Sequence, residues 1–414
     1  MKMKNILKST WKFAATAVAS LMLFALPACN DNPDAYIITD GVPTVNYIRL
    51  PDALRSDSLL THAFMGTTIA LIGENMTSVK EMWFNDVKAS MNSSLITNNA
   101  LIVTVPSSIP ANVTNMISMI NKNGDTTRVA FGVDVPSPIL NNLTCEYVKV
   151  GDTATINGNY ILPVSGAVVP EVYFTPNLPG TVVSYNLTSI KVVVPAGATE
   201  GPVTVKSRYG ATRSTFRWWD TRGMILDWDH TNASGGWRAG VISNVGGITG
   251  NYVKFSGSMA GKNAATWNED AFSFNLWGAS NGRPAGDLFS TVPANSVLKF
   301  EVYVTKTWSA GALQMIFTPW ATSGTNAYLG DGTVMRGLWI PWEATGSYTT
   351  DGWITVAFPI KNFTKSPVGA SLGSNCPAAG NYGGLTFFVF SGGVDGTDCT
   401  PEIHIDNIRV VPAE

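Results

Sequence analysis

The sequence predicts an all-β protein made of three antiparallel sandwiches, two small ones in tandem and a larger one of jelly-roll type. Three observations carry this reading. No segment keeps a 3.6-residue apolar period, whereas short β-branched and aromatic runs recur between clusters of Gly, Pro and Asn. The first half of the chain repeats itself. The last half carries long strands of alternating polarity. A chain of 414 residues is also too long for a single hydrophobic core.

The repeat spans residues 41–135 and 136–218. Gly66-Thr67-Thr68-Ile69-Ala70-Leu71-Ile72-Gly73 matches Gly151-Asp152-Thr153-Ala154-Thr155-Ile156-Asn157-Gly158. Glu81-Met82-Trp83-Phe84 matches Glu171-Val172-Tyr173-Phe174, and Leu101–Pro106 matches Ile190–Pro195. The repeat is longer than a solenoid unit, so it reads as two domains. Val192-Val193-Val194 is continuous and apolar, which suits a strand buried in a sandwich core. These motifs resemble the IPT/TIG domain, an immunoglobulin-like sandwich. The resemblance implies two spacers that hold a site away from an anchoring surface.

The N-terminus carries Lys2, Lys4, Lys8 and Lys12 ahead of an uncharged apolar run from Phe13 to Leu26. This is the layout of a secretory signal over residues 1–28, too short for a membrane span. Leu26-Pro27-Ala28-Cys29 resembles the lipobox of bacterial lipoproteins, which implies acylation of Cys29 and attachment to a bilayer. Residues 29–40 are polar and acidic and read as a tether. An acidic stretch after the lipidated cysteine resembles the surface-export signal of Bacteroidetes lipoproteins. Removing the leader leaves 23 basic against 29 acidic residues. A mildly acidic chain is a poor partner for nucleic acid.

Residues 219–414 change character. Nine of the thirteen Trp residues fall here beyond the Trp218-Trp219 boundary, among thickened Gly, Asn, Ser and Thr. Val297–Val304, Trp353–Phe358 and Ile403–Val410 alternate, and Leu385–Phe390 is continuous. The closing strand Ile405-Asp406-Asn407-Ile408-Arg409-Val410 is similar to the last strand of many carbohydrate-binding jelly rolls. Arg336-Gly337-Leu338-Trp339-Ile340-Pro341-Trp342, Gly346-Ser347-Tyr348 and Asp351–Val356 resemble the C-terminal domain of the Bacteroidetes surface glycan-binding protein B family. That resemblance implies a lipid-anchored outer-membrane protein. It implies capture of xyloglucan or a related hemicellulose or β-glucan, and partnership with an outer-membrane glycan-import complex.

The residue chemistry agrees with such a ligand. A pyranose ring presents an apolar C–H face that packs on a flat indole, while polar side chains bind its hydroxyls. Binding residues concentrate on loops, so Trp320, Trp339 and Trp342 are the first candidates. Trp308, Tyr328 and Arg336 follow, with Glu343 as a polar partner, and Trp267 and Trp277 stand next in line. The rival readings are a glycoside hydrolase, a polysaccharide-lyase accessory enzyme, or a surface adhesin. A glycosidase needs two carboxylates facing one cleft. The carboxylates here sit mostly in Gly-rich turns. Residues 278–282 and 369–373 fit GxSxG in letters, but no helical pattern follows either to make a nucleophile elbow, and no HExxH or usable Cys–His pairing is present. No cofactor is expected. A structural calcium at Asp395–Asp398 or at Asp227 and Asp229 competes with plain turn chemistry. Cys376 and Cys399 read either as a disulfide or as two thiols, and Cys145 as a small apolar residue.

Overall fold

The computed structural model describes residues 39–163, 167–231, 241–262, 269–277, 283–324 and 331–413. The leader, Cys29, Tyr328 and Trp267 lie outside these residues. The all-β expectation holds: the one α-helical segment described, Glu269–Phe272, is a single turn. None of the described helices is long and apolar enough to cross a membrane. The chain forms two compact units, residues 1–135 and 136–414.

The first unit packs a sheet of Thr44–Arg49, Thr68–Glu74 and Ala100–Thr104 against one of Val87–Lys88, Val79–Phe84, Met116–Asn121 and Thr126–Ala130. Strict alternation in Met116–Asn121 sends Ile117 and Met119 inward to meet Met82, Phe84 and Phe131. The second unit opens with the same design, Ile139–Leu143, Thr153–Asn159, Ser189–Val193 and Thr181–Tyr185 facing a second four-stranded sheet. The glycine that closes each repeat motif has a shared cause. A Cβ on Gly73 would run into the Thr44 carbonyl, and one on Gly158 into the Ile139 carbonyl. In both sandwiches the edge strand shifts register beside that glycine. The Val192-Val193-Val194 run lies in the sandwich core as expected: Val192 and Val194 are buried in it, while Val193 turns outward and is half-buried. A β-branched run thus alternates where one face of its sheet is open.

The C-terminal sandwich follows in the same unit. Its six-stranded sheet runs Val241–Ser243, Tyr252–Ser256, Glu402–Pro412, Ser296–Lys306 and Ile354–Pro359, with Met224–Leu226 also paired to Glu402–Pro412. Its four-stranded sheet runs Ser273–Leu276, Gly384–Phe390, Ala312–Thr318 and Gly337–Trp339. Between them lies an aromatic core. Phe274 stacks on Phe387 at 5.1 Å, Phe300 meets Phe387 edge-on at 5.2 Å, and Trp308 meets Trp339 edge-on at 5.6 Å.

The second sandwich is locked onto the outer face of the six-stranded sheet by buried charges. Arg409 donates twice to Glu301, at 2.8 and 3.0 Å, and to Glu146 at 2.6 Å. Lys299 donates to the other Glu146 oxygen at 2.7 Å, and Thr355 donates to Glu301 at 2.8 Å. Burial works against the charge on Arg409, but Glu301 and Glu146 outweigh it and hold its pKa above the ordinary value. Tyr147 lies under the guanidinium, 5.0 Å from ring centroid to Cζ, and donates its hydroxyl to the Asp220 carbonyl. Cys145 packs beside it as a buried thiol, with its pKa pushed up by burial.

Candidate functional site

The outer face of the four-stranded sheet is where side chains, register and close backbone approach build a site. Phe274 and Leu276 point to the core, so Ser273 and Asn275 face outward, and Trp277 continues that face half-buried. In Gly384–Phe390 the inward set is Leu385, Phe387 and Val389, leaving Gly384, Thr386, Phe388 and Phe390 on the opposite side, where Ser273, Asn275, Gln314, Thr386 and Phe388 are themselves buried. Thr386 donates to Asn275 at 2.6 Å across the ladder, and Phe388 stacks on Phe390 at 5.2 Å. On the neighbouring strand Gln314 donates to the Phe390 and Pro367 carbonyls and accepts from Arg336 at 2.9 Å.

One end of this face combines aromatic and small residues. Leu276 pairs with Leu385, so the next step of the register sets Trp277 beside Gly384, and Gly384 pairs with Thr318. Beyond Thr318 the chain turns through Pro319 into a 3-10 turn at Trp320–Thr322. A Cβ on Gly383 would meet the backbone and Cβ of Trp320 at 2.5–2.8 Å. One on Gly384 would meet Ser323 Cβ at 2.7 Å and Thr318 Oγ1 at 2.8 Å. Only glycine fits at this crossing, which packs backbone and the buried Thr318 and Ser323 closely between the segments that carry Trp277 and Trp320. Asp287 fixes the approach to the glycines by accepting from the amides of Gly380 at 2.7 Å and Tyr382 at 2.9 Å. Gly383 itself donates to the Thr318 carbonyl at 2.8 Å.

The structure redistributes the residues singled out from sequence. Trp320 is half-buried at the sheet end just described. Trp308 and Trp342 are 0% and 3% exposed, with their indole N–H groups donating to the carbonyls of Ala310 and Gly311. Trp339 packs inward against Phe300, Trp308 and Tyr348. Arg336 is 1% exposed and holds Gln314. These four placements correct the loop reading of residues 336–342. Pro341 suggested a loop, but Gly337–Trp339 is an edge strand that pairs with Ala312–Thr318 and turns its indole into the core. Trp277 ranks higher than sequence placed it. Its signal was the alternation in Ser273-Phe274-Asn275-Leu276-Trp277, which puts the indole on the polar side.

The carboxylates are mostly engaged. Asp227 accepts from the amides of His230 and Thr231, Asp398 from that of Gly261, and Asp331 from the amide and hydroxyl of Thr333. The bonds at Asp227 and Asp331 are turn bonds, the reading that competed with calcium at Asp227, while Asp398 ties its segment to the distant Gly261. Glu402 sits between Lys306 and His404, whose hydrogen bonds bring its carboxyl down to about 2. Among the described residues, no group of three or more His, Cys, Asp or Glu residues is arranged to hold a metal ion. Cys376 and Cys399 are separate thiols that pack against the core.

The fold defines a modular protein of tandem β-sandwiches whose C-terminal sandwich has an aromatic core and half-buried tryptophans, Trp277 and Trp320, at one sheet end. Residues 218–412 match the family model described as the surface glycan-binding protein B xyloglucan binding domain. The chain is similar to the crystal structure of the surface glycan-binding protein PbSGBP-B from Prevotella bryantii. The two share 29% identity and a TM-score of 0.70, over 91% of this chain and 100% of that one. It is also 28% identical over 165 residues to an IPT/TIG domain-containing protein of Bacteroides ovatus, covering 37% of this chain and 33% of that relative. The chain therefore spans about a third of that relative's length. Its C-terminal domain thus matches the xyloglucan-binding domain of surface glycan-binding protein B, and the chain as a whole is similar to one such protein.

Proposed function

We propose that this protein captures a neutral plant-type β-glycan, xyloglucan or a related hemicellulose or β-glucan, on the end of the four-stranded sheet bearing Trp277 and Trp320. The observation that carries the reading is the Gly383-Gly384 crossing. It packs two tryptophan-bearing segments closely at one sheet end, in the domain that matches a xyloglucan-binding family. A sugar ring lies on an indole through its C–H face, and its hydroxyls meet backbone and hydroxyl groups. The two IPT/TIG-like sandwiches serve as spacers over residues 41–135 and 136–218, with residues 219–414 as the binding domain. Acylated Cys29 anchors the chain to the outer membrane at the cell surface, where it delivers glycan to an import complex. Capture is non-catalytic.

The mature chain, titrated with xyloglucan and mixed-linkage β-glucan, is expected to bind at micromolar strength or weaker and to release no reducing ends on prolonged incubation. Retardation by neither polysaccharide in an affinity gel, or steady release of reducing sugar, overturns the reading.

A further inference from the structure

We infer that the open lateral edge of the C-terminal sandwich carries a second saccharide subsite, selective for a chain bearing carboxylate branches, that is, a uronic-acid-substituted glycan. It is distinct from the neutral-glycan platform and does not depend on it. Gly337–Trp339 ends the four-stranded sheet and Ile354–Pro359 ends the six-stranded one. Both edge strands line a cleft of about 640 Å³. Leu338, Ile340 and Phe358 give it an apolar side, Lys361 and Lys365 a cationic one, and Glu343 belongs to its lining. Part of its wall is backbone. A Cβ on Gly369 would meet the Gly392 carbonyl oxygen at 2.5 Å, so these two lining segments touch without side chains.

The two lysines are held in place by their neighbours. Lys361 sits in the 3-10 turn Ile360–Asn362, and Ile360 and Phe363 on either side are 0% and 1% exposed, plugged into the core. Lys365 is bridged through its backbone to Arg336 in both directions, at 2.9 and 3.2 Å. Among the described residues neither ammonium forms an ion pair, Glu343 included. Two cations on a fixed scaffold over a groove with apolar and bare-backbone walls suit a sugar ring with a carboxylate at its edge. Glu343 repels that carboxylate, which directs it to the lysine side, and it can accept from ring hydroxyls. A purely neutral glycan would leave both cations unused, and a phosphate group offers no apolar face for Leu338 and Phe358.

The test uses the mature chain and two probes: a β-1,4-xylo-oligosaccharide with glucuronic-acid branches, and the same oligosaccharide with its carboxyl groups reduced to alcohols. Wild type should bind the acidic form about tenfold tighter than the reduced one, a difference of about 1.4 kcal/mol. That preference should shrink as salt is raised. The double variant Lys361→Gln, Lys365→Gln should lose the preference at an unchanged melting temperature and bind neutral xyloglucan as wild type does. Equal binding of the two probes by wild type overturns the inference, as does a double variant that keeps the preference. Trp320→Ala separates the two sites: it should weaken neutral-glycan binding by about tenfold or more and leave the acidic preference intact. Failure of neutral binding in wild type sinks the platform without touching this result.

Discussion

Asp406 shows how a single residue in the most recognisable stretch of the sequence carries a physical cost. It lies in the terminal strand, fully buried, accepting from the Thr249 hydroxyl at 2.9 Å and the Asn407 amide at 2.8 Å. Burial pushes its carboxyl up to about 8, more than those two hydrogen bonds pull it down. The unfolded value is about 4. Between the two values the native chain keeps a proton that the unfolded chain has lost, so this group favours folding at low pH and loses that contribution as pH rises toward 8. Asp406→Asn should flatten the stability profile between about pH 5 and 8, by at most about 1.4 kcal/mol per pH unit. Chemical denaturation of both proteins at several pH values checks this, and parallel profiles would contradict it. At this scale the sequence was legible in type but not in place. The tryptophans were visible, yet burial of an indole depends on whether its N–H finds a carbonyl, as Trp308 and Trp342 do across turns that no local pattern reveals.

Among the elements, the strands were the most legible part, because alternation over Ser296–Lys306 and Glu402–Pro412 reports the buried face directly. What sequence did not reveal is that the outward residues of those strands are buried as well. Lys299, Glu301 and Arg409 look like a solvated face, and they become an interior only because Glu146 and Tyr147 of the preceding sandwich come down on them. Contacts between residues 153 to 263 positions apart leave no local trace. Such a network is held by mutual satisfaction, and removal of one member strands the others. Arg409→Met leaves Glu301 and Glu146 facing each other in a dry site and should destabilise the second unit by about 3–5 kcal/mol. Calorimetry of the mature chain should show that unit melting earlier and still as one transition, since the second sandwich and the C-terminal one share this core. A change below about 1 kcal/mol would mean the charges are better hydrated than their burial implies.

For the whole molecule, the all-β class and the glycan-binding kind were readable from the duplicated motif and the Trp-rich end, and the xyloglucan-binding domain match over residues 218–412 agrees with that reading. The binding face was the part that had to come from three dimensions. Trp277 and Trp320 are far apart in sequence, and the segments that carry them reach one sheet end because Gly383-Gly384 lets two strand ends and a 3-10 turn close on one another. The account therefore stands on that sheet end, and calorimetric titration of a xyloglucan oligosaccharide into the mature chain tests it most directly, with melting temperatures taken in parallel. Trp277→Ala combined with Trp320→Ala should remove two stacking contacts of about 1–3 kcal/mol each, by analogy with aromatic platforms for stacked bases. Against about 8 kcal/mol for micromolar binding, that takes the signal below detection, with the melting temperature nearly unchanged. Trp342→Ala is the control: it should cost about 3–5 kcal/mol of stability through the core it empties. A folded Trp277/Trp320 double variant that binds the oligosaccharide as tightly as wild type would contradict the account.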